Sequence, residues 1–296
     1  MATAVTTVVA GCGTTVSSPT VGAHGGVIAV VAAENFWGSL AAQVGGRHVQ
    51  VTNLIADPNA DPHSYEPTTS DGRKVAEAAM IIDNGVGYDS WAPKLLSSDP
   101  AKRTVLDVGH LLALKDGANP HRWYNPTDVQ RVIAGLVADY SRIDPTDAGY
   151  FQDQAARFER TGLAAYHSLI AQIRERFGGT PVGASESIFS MLAPTLGLDV
   201  ITPSSFLKAI SEGIDVSAAD KTAIDNQIKG HQIKVYVSNA QNTTPDVNVQ
   251  LAECRAAGIP TATITETLTP AGATYQAWQS RQLQGILDAL DKAARP

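Results

Sequence analysis

Val49-Gln50-Val51-Thr52-Asn53-Leu54-Ile55, a turn at Asp57-Pro58-Asn59, and then Asp61-Pro62-His63-Ser64-Tyr65-Glu66-Pro67 form the stretch on which the fold reading rests. The apolar, β-branched run reads as a strand. Pro62 and Pro67 bias Asp61 and Glu66 towards extended backbone, so the following segment is a stiffened loop rather than a helix. In an α/β protein the loop after a parallel strand opens into the crevice where such folds bind ligands. A lone loop histidine is ordinarily a surface residue, so His63 becomes a candidate metal ligand only if partners join it.

Working outward, strands and helices alternate on both sides of this unit. Val27 to Ala32 reads as a first core strand, followed by a helix over about Trp37 to Val44 that Gly45-Gly46 closes. Ser70-Asp71-Gly72-Arg73 starts a helix, Ile81-Ile82 is a strand, and Asp89-Ser90-Trp91 opens another helix before a strand at Thr104 to Val108. Asn125-Pro126-Thr127-Asp128 is a helix start with Pro in the first turn, and that helix runs to about Ile143. From Thr146 to Phe177 the apolar positions step by threes and fours, which predicts one helix roughly 48 Å long, a spine between two lobes. Beyond it the plan repeats, with strands at Val182 to Ser185, Asp199 to Thr202, Val235 to Ser238 and Thr261 to Thr265. Ser217 is read as a helix N-cap, Val247 to Ala257 as a helix, and about Thr274 to Ala294 as the closing helix. The alternation calls for an α/β architecture of two Rossmann-like lobes with parallel sheets joined by one long spine helix.

A second Pro-His loop supplies the first partner. Asn119-Pro120-His121-Arg122-Trp123-Tyr124-Asn125-Pro126 places His121 directly after Pro, about sixty residues beyond His63. With these two segments, DPHSYEP and NPHRWYNP, the chain resembles the metal-binding solute-binding proteins of bacterial ABC importers, which take up manganese, zinc or iron. The resemblance runs from about Val27 onward. It implies an interlobe cleft holding one metal, and a division into 1–26 (signal remnant and tether), 27–145 (first lobe), 146–177 (linking helix) and 178–296 (second lobe).

The same resemblance completes the ligand set. Ser185-Glu186-Ser187-Ile188-Phe189 is similar to the SEGAF-like segment that carries the third ligand in manganese-type members, and Glu186 ends a predicted strand just as His63 follows one. Thr265-Glu266-Thr267-Leu268 matches a TDSL-like segment whose Asp is the usual fourth ligand; here Glu266 lengthens that arm by one methylene. Two imidazoles and two carboxylates suit Mn²⁺ or Fe²⁺, while Zn²⁺ also accepts such donors. Zinc-type relatives often carry His in the third position and a His-rich acidic insertion near the second motif. Glu186 and the plain stretch from His110 to His121 therefore favour manganese, with zinc and iron as alternatives. Asn84, Asn239 and Gln241, at other strand ends, are expected to hydrogen-bond the ligating groups.

Composition bounds what else the chain could be. At 296 residues with 44% hydrophobic content it has ample chain for a buried core. A net charge of −7 argues against nucleic acid, whose capture needs clustered Lys and Arg. No run of about twenty apolar residues is present to span a bilayer. Val8-Val9-Ala10-Gly11-Cys12 matches the small-residue motif before an acylated Cys, with Gly13 to Ser18 as tether. Met1 to Val9 has no Lys or Arg and is short for a full leader, so it is read as a truncated lipoprotein signal. Lipidated Cys12 would hold a monomer at the outer face of the cell membrane, where an ABC permease is the expected partner. Cys254 is then a buried small hydrophobe rather than a disulfide partner.

Two other classes compete with a carrier. A metal-dependent hydrolase would need an open coordination position, but no HExxH helix or nucleophile elbow appears and Gly85-Val86-Gly87 is only a fragment of a dinucleotide fingerprint. A surface adhesin with a structural metal is the other. His48 and His231 read as solvated loop positions, and Trp123, Tyr124 and Trp278 as packing.

Overall fold

A computed structural model describes residues 26–57, 65–97, 103–115 and 117–295. The chain enters as β1 (Ile28–Glu34), in which every side chain except Ala29 is buried. A strand covered on both faces is what a parallel sheet requires, and the run Ile-Ala-Val-Val-Ala-Ala supplies it. Glu34 belongs to the strand and passes directly into α1 (Asn35–Gly45), two residues earlier than the apolar pattern indicates. The helix lies close against β2 (Val49–Ile55): a Cβ built on Gly38 would sit 1.8 Å from Asn53 Oδ1 of that strand.

α2 (Thr69–Glu77), β3 (Met80–Asp83), α3 (Ala92–Ser97), β4 (Thr104–Asp107) and the single turn α4 (Val108–Leu111) complete the first half. The helix expected to open at Asp89 starts only at Ala92, because Gly85, Val86 and Gly87 all have positive φ and hold the chain in a turn. The four strands are parallel in the order β2-β1-β3-β4. The order reverses between β1 and β3, so the ligand crevice of this topology lies beyond Glu34 and Asp83.

α5 (Pro126–Ile143) begins where the Asn-Pro signal places it, with the Asn125 side chain accepting from the amides of Thr127 and Asp128. The linking run follows as a 3₁₀ turn at Pro145–Asp147, α6 (Ala148–Arg157), a π turn at Phe158–Gly162 and α7 (Ala164–Phe177). The helical link is therefore present but changes pitch midway, where the Leu163 amide reaches back five residues to the Phe158 carbonyl at 2.9 Å. The cause is local. A side chain on Gly162 would begin 2.5 Å from the Phe158 ring, and the buried positions step by five from Phe158 to Leu163 before resuming helical spacing.

The second half repeats the first. β5 (Pro181–Ala184), the single-turn α8 (Ala193–Leu196), β6 (Asp199–Val200), α9 (Ser204–Ser211), α10 (Ala218–Lys229), β7 (Val235–Asn239), α11 (Pro245–Ala256) and β8 (Thr261–Ile264) build a parallel sheet ordered β6-β5-β7-β8. α9 has no counterpart in the sequence reading; its Phe206, Leu207, Ala209 and Ile210 are buried, but the segment is too short for a clear period. α10 starts at the expected cap, with Ser217 Oγ accepting from the Asp220 amide.

α12 (Tyr275–Ala293) packs on β7, β8 and α7 and also touches α1 of the first half. One continuous core runs from Ile28 to Leu290 through both sheets. Its seam is aromatic: Phe36 stacks on Trp123 at 3.9 Å, Tyr124 meets Trp278 edge-on at 5.7 Å, and Tyr166 lies 6.3 Å from Tyr275. Hydrogen bonds cross the same seam. Tyr124 Oη donates towards Thr265 O at 2.7 Å, Tyr275 Oη donates to Trp123 O at 2.6 Å, and the Leu268 amide donates to Asn35 Oδ1 at 3.1 Å.

Candidate metal centre

Three of the four expected ligands converge. One donor atom each from His121, Glu186 and Glu266 lies within 4.8 Å of the other two. His121 and Glu186 are buried and Glu266 is half-buried. His63 lies outside the described residues, as does Cys12. The described ends of the His63 loop are placed: β2 pairs with β1 so that Ile55 stands opposite Glu34 at the C-terminal end of both strands. On the far side Tyr65 Oη donates to Asp71 Oδ2 at 2.9 Å, and Asp71 closes a capping box with Thr68 at the start of α2.

His121 is oriented by its own motif. Asn119 Oδ1 accepts from the His121 amide at 3.1 Å and sits 2.8 Å from Nδ1. An amide oxygen in that position fixes the proton on Nδ1 and leaves the lone pair on Nε2. Nε2 in turn lies 3.9 Å from Glu186 Oε1. The other end of Asn119 crosses the cleft, its Nδ2 donating to Ser187 O at 2.8 Å. The spacing Asn-Pro-His could have shown this, since a side chain two residues back is within reach of both nitrogens.

The two carboxylates share a support. Asn239, at the end of β7, donates from Nδ2 to Glu186 Oε2 at 3.1 Å and to Glu266 Oε1 at 2.9 Å. Asn239 thus touches both carboxylates, whereas Gln241 acts one step removed. Gln241 accepts from the Thr267 amide at 3.0 Å and donates to Thr267 Oγ1 at 2.7 Å, which pins the loop that carries Glu266. Asn84 touches neither carboxylate. It accepts from Trp37 Nε1 at 3.0 Å and donates to Pro120 O at 3.1 Å, bracing the His121 loop from behind.

Burial and like charge set the electrostatics of the cluster. Burial, and then the charge of nearby Glu266, push the Glu186 carboxyl well above its ordinary range. Burial and the same Glu266 raise the Tyr88 phenol, so it stays protonated and donates to Glu266 Oε2 at 3.0 Å. Tyr88 carries no signal in the sequence beyond following Gly87. His48, read as solvated, is instead half-buried and paired with Asp147 at 2.7 Å, because the α5–α6 junction folds onto the end of α1. Cys254 is fully buried with its thiol pushed up to about 12 by burial, as a small hydrophobe would be.

Residues 30–289 match the family described as ZnuA, zinc-uptake complex component A, periplasmic. The chain belongs to this family. It is 29% identical over 161 residues to the iron-binding protein YfeA of Yersinia pestis, which covers 50% of each chain. It is 24% identical over 282 residues to the zinc-binding lipoprotein AdcA of Streptococcus pneumoniae, covering 84% of this chain and 53% of that protein. With the manganese-binding lipoprotein MntA of Halalkalibacterium halodurans it shares 26% identity over 155 residues, 51% of each. The chain spans about half the length of these three relatives. Among solved structures, the Mn-bound periplasmic metal binding protein from Candidatus Liberibacter asiaticus superimposes with a TM-score of 0.73 at 20% identity, covering 89% of this chain and 99% of that one. FpvC of Pseudomonas aeruginosa in complex with Ni²⁺ gives 0.73 at 18% identity, covering 91% and 99%. These likenesses show that the two-sheet α/β fold is shared with both structures.

Proposed function

We propose that this protein captures a divalent transition metal in the cleft between its two sheets and delivers it to an ABC permease. The ligands in this reading are His63, His121, Glu186 and Glu266. Residues 27–145 and 178–296 act as the two lobes and 146–177 as their link. The observation that carries the proposal is the convergence of His121 from the first half with Glu186 and Glu266 from the second. An imidazole whose lone pair faces two buried carboxylates is a cation site in need of its cation.

The relatives' names divide among iron, zinc and manganese, and the donor set of two nitrogens and two carboxylates accepts all three. Its oxygen-rich half ranks Mn²⁺ first as cargo, followed by Fe²⁺ and Zn²⁺. In this reading the protein is a carrier rather than an enzyme: His63 as a fourth protein ligand would leave no position for a hydrolytic water. Lipidation at Cys12 would hold it, as a monomer, at the outer face of the membrane beside its permease. No helix among the described residues is long and apolar enough to cross a membrane.

Thermal unfolding of chelator-stripped protein tests the reading. Mn²⁺, Fe²⁺ or Zn²⁺ at a hundred times its dissociation constant stabilises the fold by about 2.7 kcal/mol if the unfolded chain binds little. His121→Ala and Glu186→Ala should melt near the wild type without metal and lose the shift with it. A wild-type protein that none of the three metals stabilises sinks the proposal. One that fails to fold without metal would favour the adhesin-like reading with a structural ion.

A further inference from the structure

Glu266 sits where an aspartate would be shorter and stiffer, and the extra methylene adds a rotatable bond that has to be held. The structure holds it from both sides of the cleft. Asn239 of the second half donates to Oε1, and Tyr88 of the first half donates to Oε2. Tyr88 is fully buried, and its ring lies 5.0 Å from Trp123, 6.3 Å from Phe36 and 6.0 Å edge-on to His121.

The turn that presents Tyr88 is built at some cost. Gly85, Val86 and Gly87 have φ of 69°, 56° and 79° in succession, and a β-branched residue such as Val86 rarely adopts that conformation. Strain of this kind persists where the surroundings over-determine it. Here Asp89 does so: its carboxylate accepts from the amides of Asn84 at 2.6 Å and Gly85 at 2.9 Å. The Tyr88 amide closes the turn on Gly85 O at 3.1 Å. The result is a hydroxyl delivered at a fixed point across the cleft.

We propose that Tyr88 is the positioning residue that sets the orientation of the Glu266 carboxylate, and through it the affinity and coordination mode of the bound metal. The inference rests on the metal-site reading above and adds a residue outside the ligand set. With a donor on each oxygen, Glu266 is presented in one rotamer. Without the hydroxyl it swings about its additional bond, and the ion meets a mixture of carboxylate orientations.

A double-mutant cycle in the full chain tests this, using Y88F, E266D and the double variant, with Mn²⁺ as the probe. Y88F keeps the ring and its packing, and melting of chelator-stripped protein should leave it within a few degrees of the wild type. Calorimetric titration should show Mn²⁺ bound about 10- to 100-fold more weakly, in the range typical for groups that orient metal ligands. The Mn²⁺ electron paramagnetic resonance spectrum should broaden as the ligand geometry becomes mixed. E266D withdraws the carboxylate from Tyr88, so adding Y88F in that background should cost less than about 2-fold. Affinity within 2-fold of the wild type and an unchanged spectrum in Y88F would overturn the proposal, as would equal losses in both backgrounds. Should Y88F fail to fold, E266D breaks the same contact from the other side. An E266D spectrum identical to that of the wild type then overturns the proposal. If the wild type binds no Mn²⁺, or H121A binds it equally well, the metal-site reading itself has failed, a result separate from any of these.

Discussion

At the scale of single residues, buried acids gather at the C-terminal end of the first sheet. Glu34 and Asp83 end β1 and β3, Asp89 follows in the next turn, and all three are buried. Burial first, and then the charges of Asp89 and Asp107, push the Asp83 carboxyl up to about 8. A raised acid has a definite sign in folding. Below about pH 4 both states hold the proton, and as pH rises the unfolded chain ionises while folded Asp83 stays neutral. Stability is therefore lost progressively as pH rises from about 4 to about 8. Asp83→Asn should match the wild type near pH 4 and exceed it by on the order of 1–3 kcal/mol at pH 8, as read by urea unfolding at both values. A variant with the same advantage at both would show that Asp83 is not the titrating group. The residues that converge were legible, since His121, Glu186 and Glu266 each stand in a short motif at a strand or loop end. Asn119 stood within reach of such reading, two residues before His121, whereas Tyr88 did not. Its work depends on a distance across the cleft, and nothing in the linear order records that Tyr88 lies 3.0 Å from a residue 178 positions later.

At the scale of elements, sequence reading was strongest where chemistry punctuates the chain. β2 and α5 begin and end where the apolar run and the Asn-Pro cap indicate, and Ser217 caps the helix assigned to it. It was weakest where pitch changes without a breaker. The π turn at Phe158–Gly162 leaves the apolar spacing on either side intact, so a pattern count passes over it. Short elements such as α8 and α9 carry too few residues to establish a period. The tightest glycine position among the described residues of the first half belongs to this scale too. Gly38→Ala places a methyl 1.8 Å from Asn53 Oδ1, which forces α1 off β2 or the Asn53 side chain out of its place. The expected loss is on the order of 1–3 kcal/mol, a cost typical of overpacking. A melting curve within a degree of the wild type would show that Asn53 gives way freely.

At the scale of the whole molecule, the seam between the halves decides behaviour. Tyr124 Oη is buried against Thr265 O and Gln282 Oε1, and a Phe there would take this donor from Thr265 O while Gln282 Oε1 keeps the Thr265 amide. Tyr124→Phe should cost about 1–3 kcal/mol. Circular dichroism and tryptophan fluorescence should still report a single shared transition, because the core is continuous. Two separated transitions would mean that the lobes fold independently. A continuous core also bears on ancestry. The two sheets share a strand order and look like a duplicated unit, yet each half now covers the other's aromatic face with Trp123, Tyr124, Tyr275 and Trp278. Halves that finish each other's interior are inherited together. Exchanging one half for that of another protein would carry over a sheet but orphan the aromatic face it was shaped to meet.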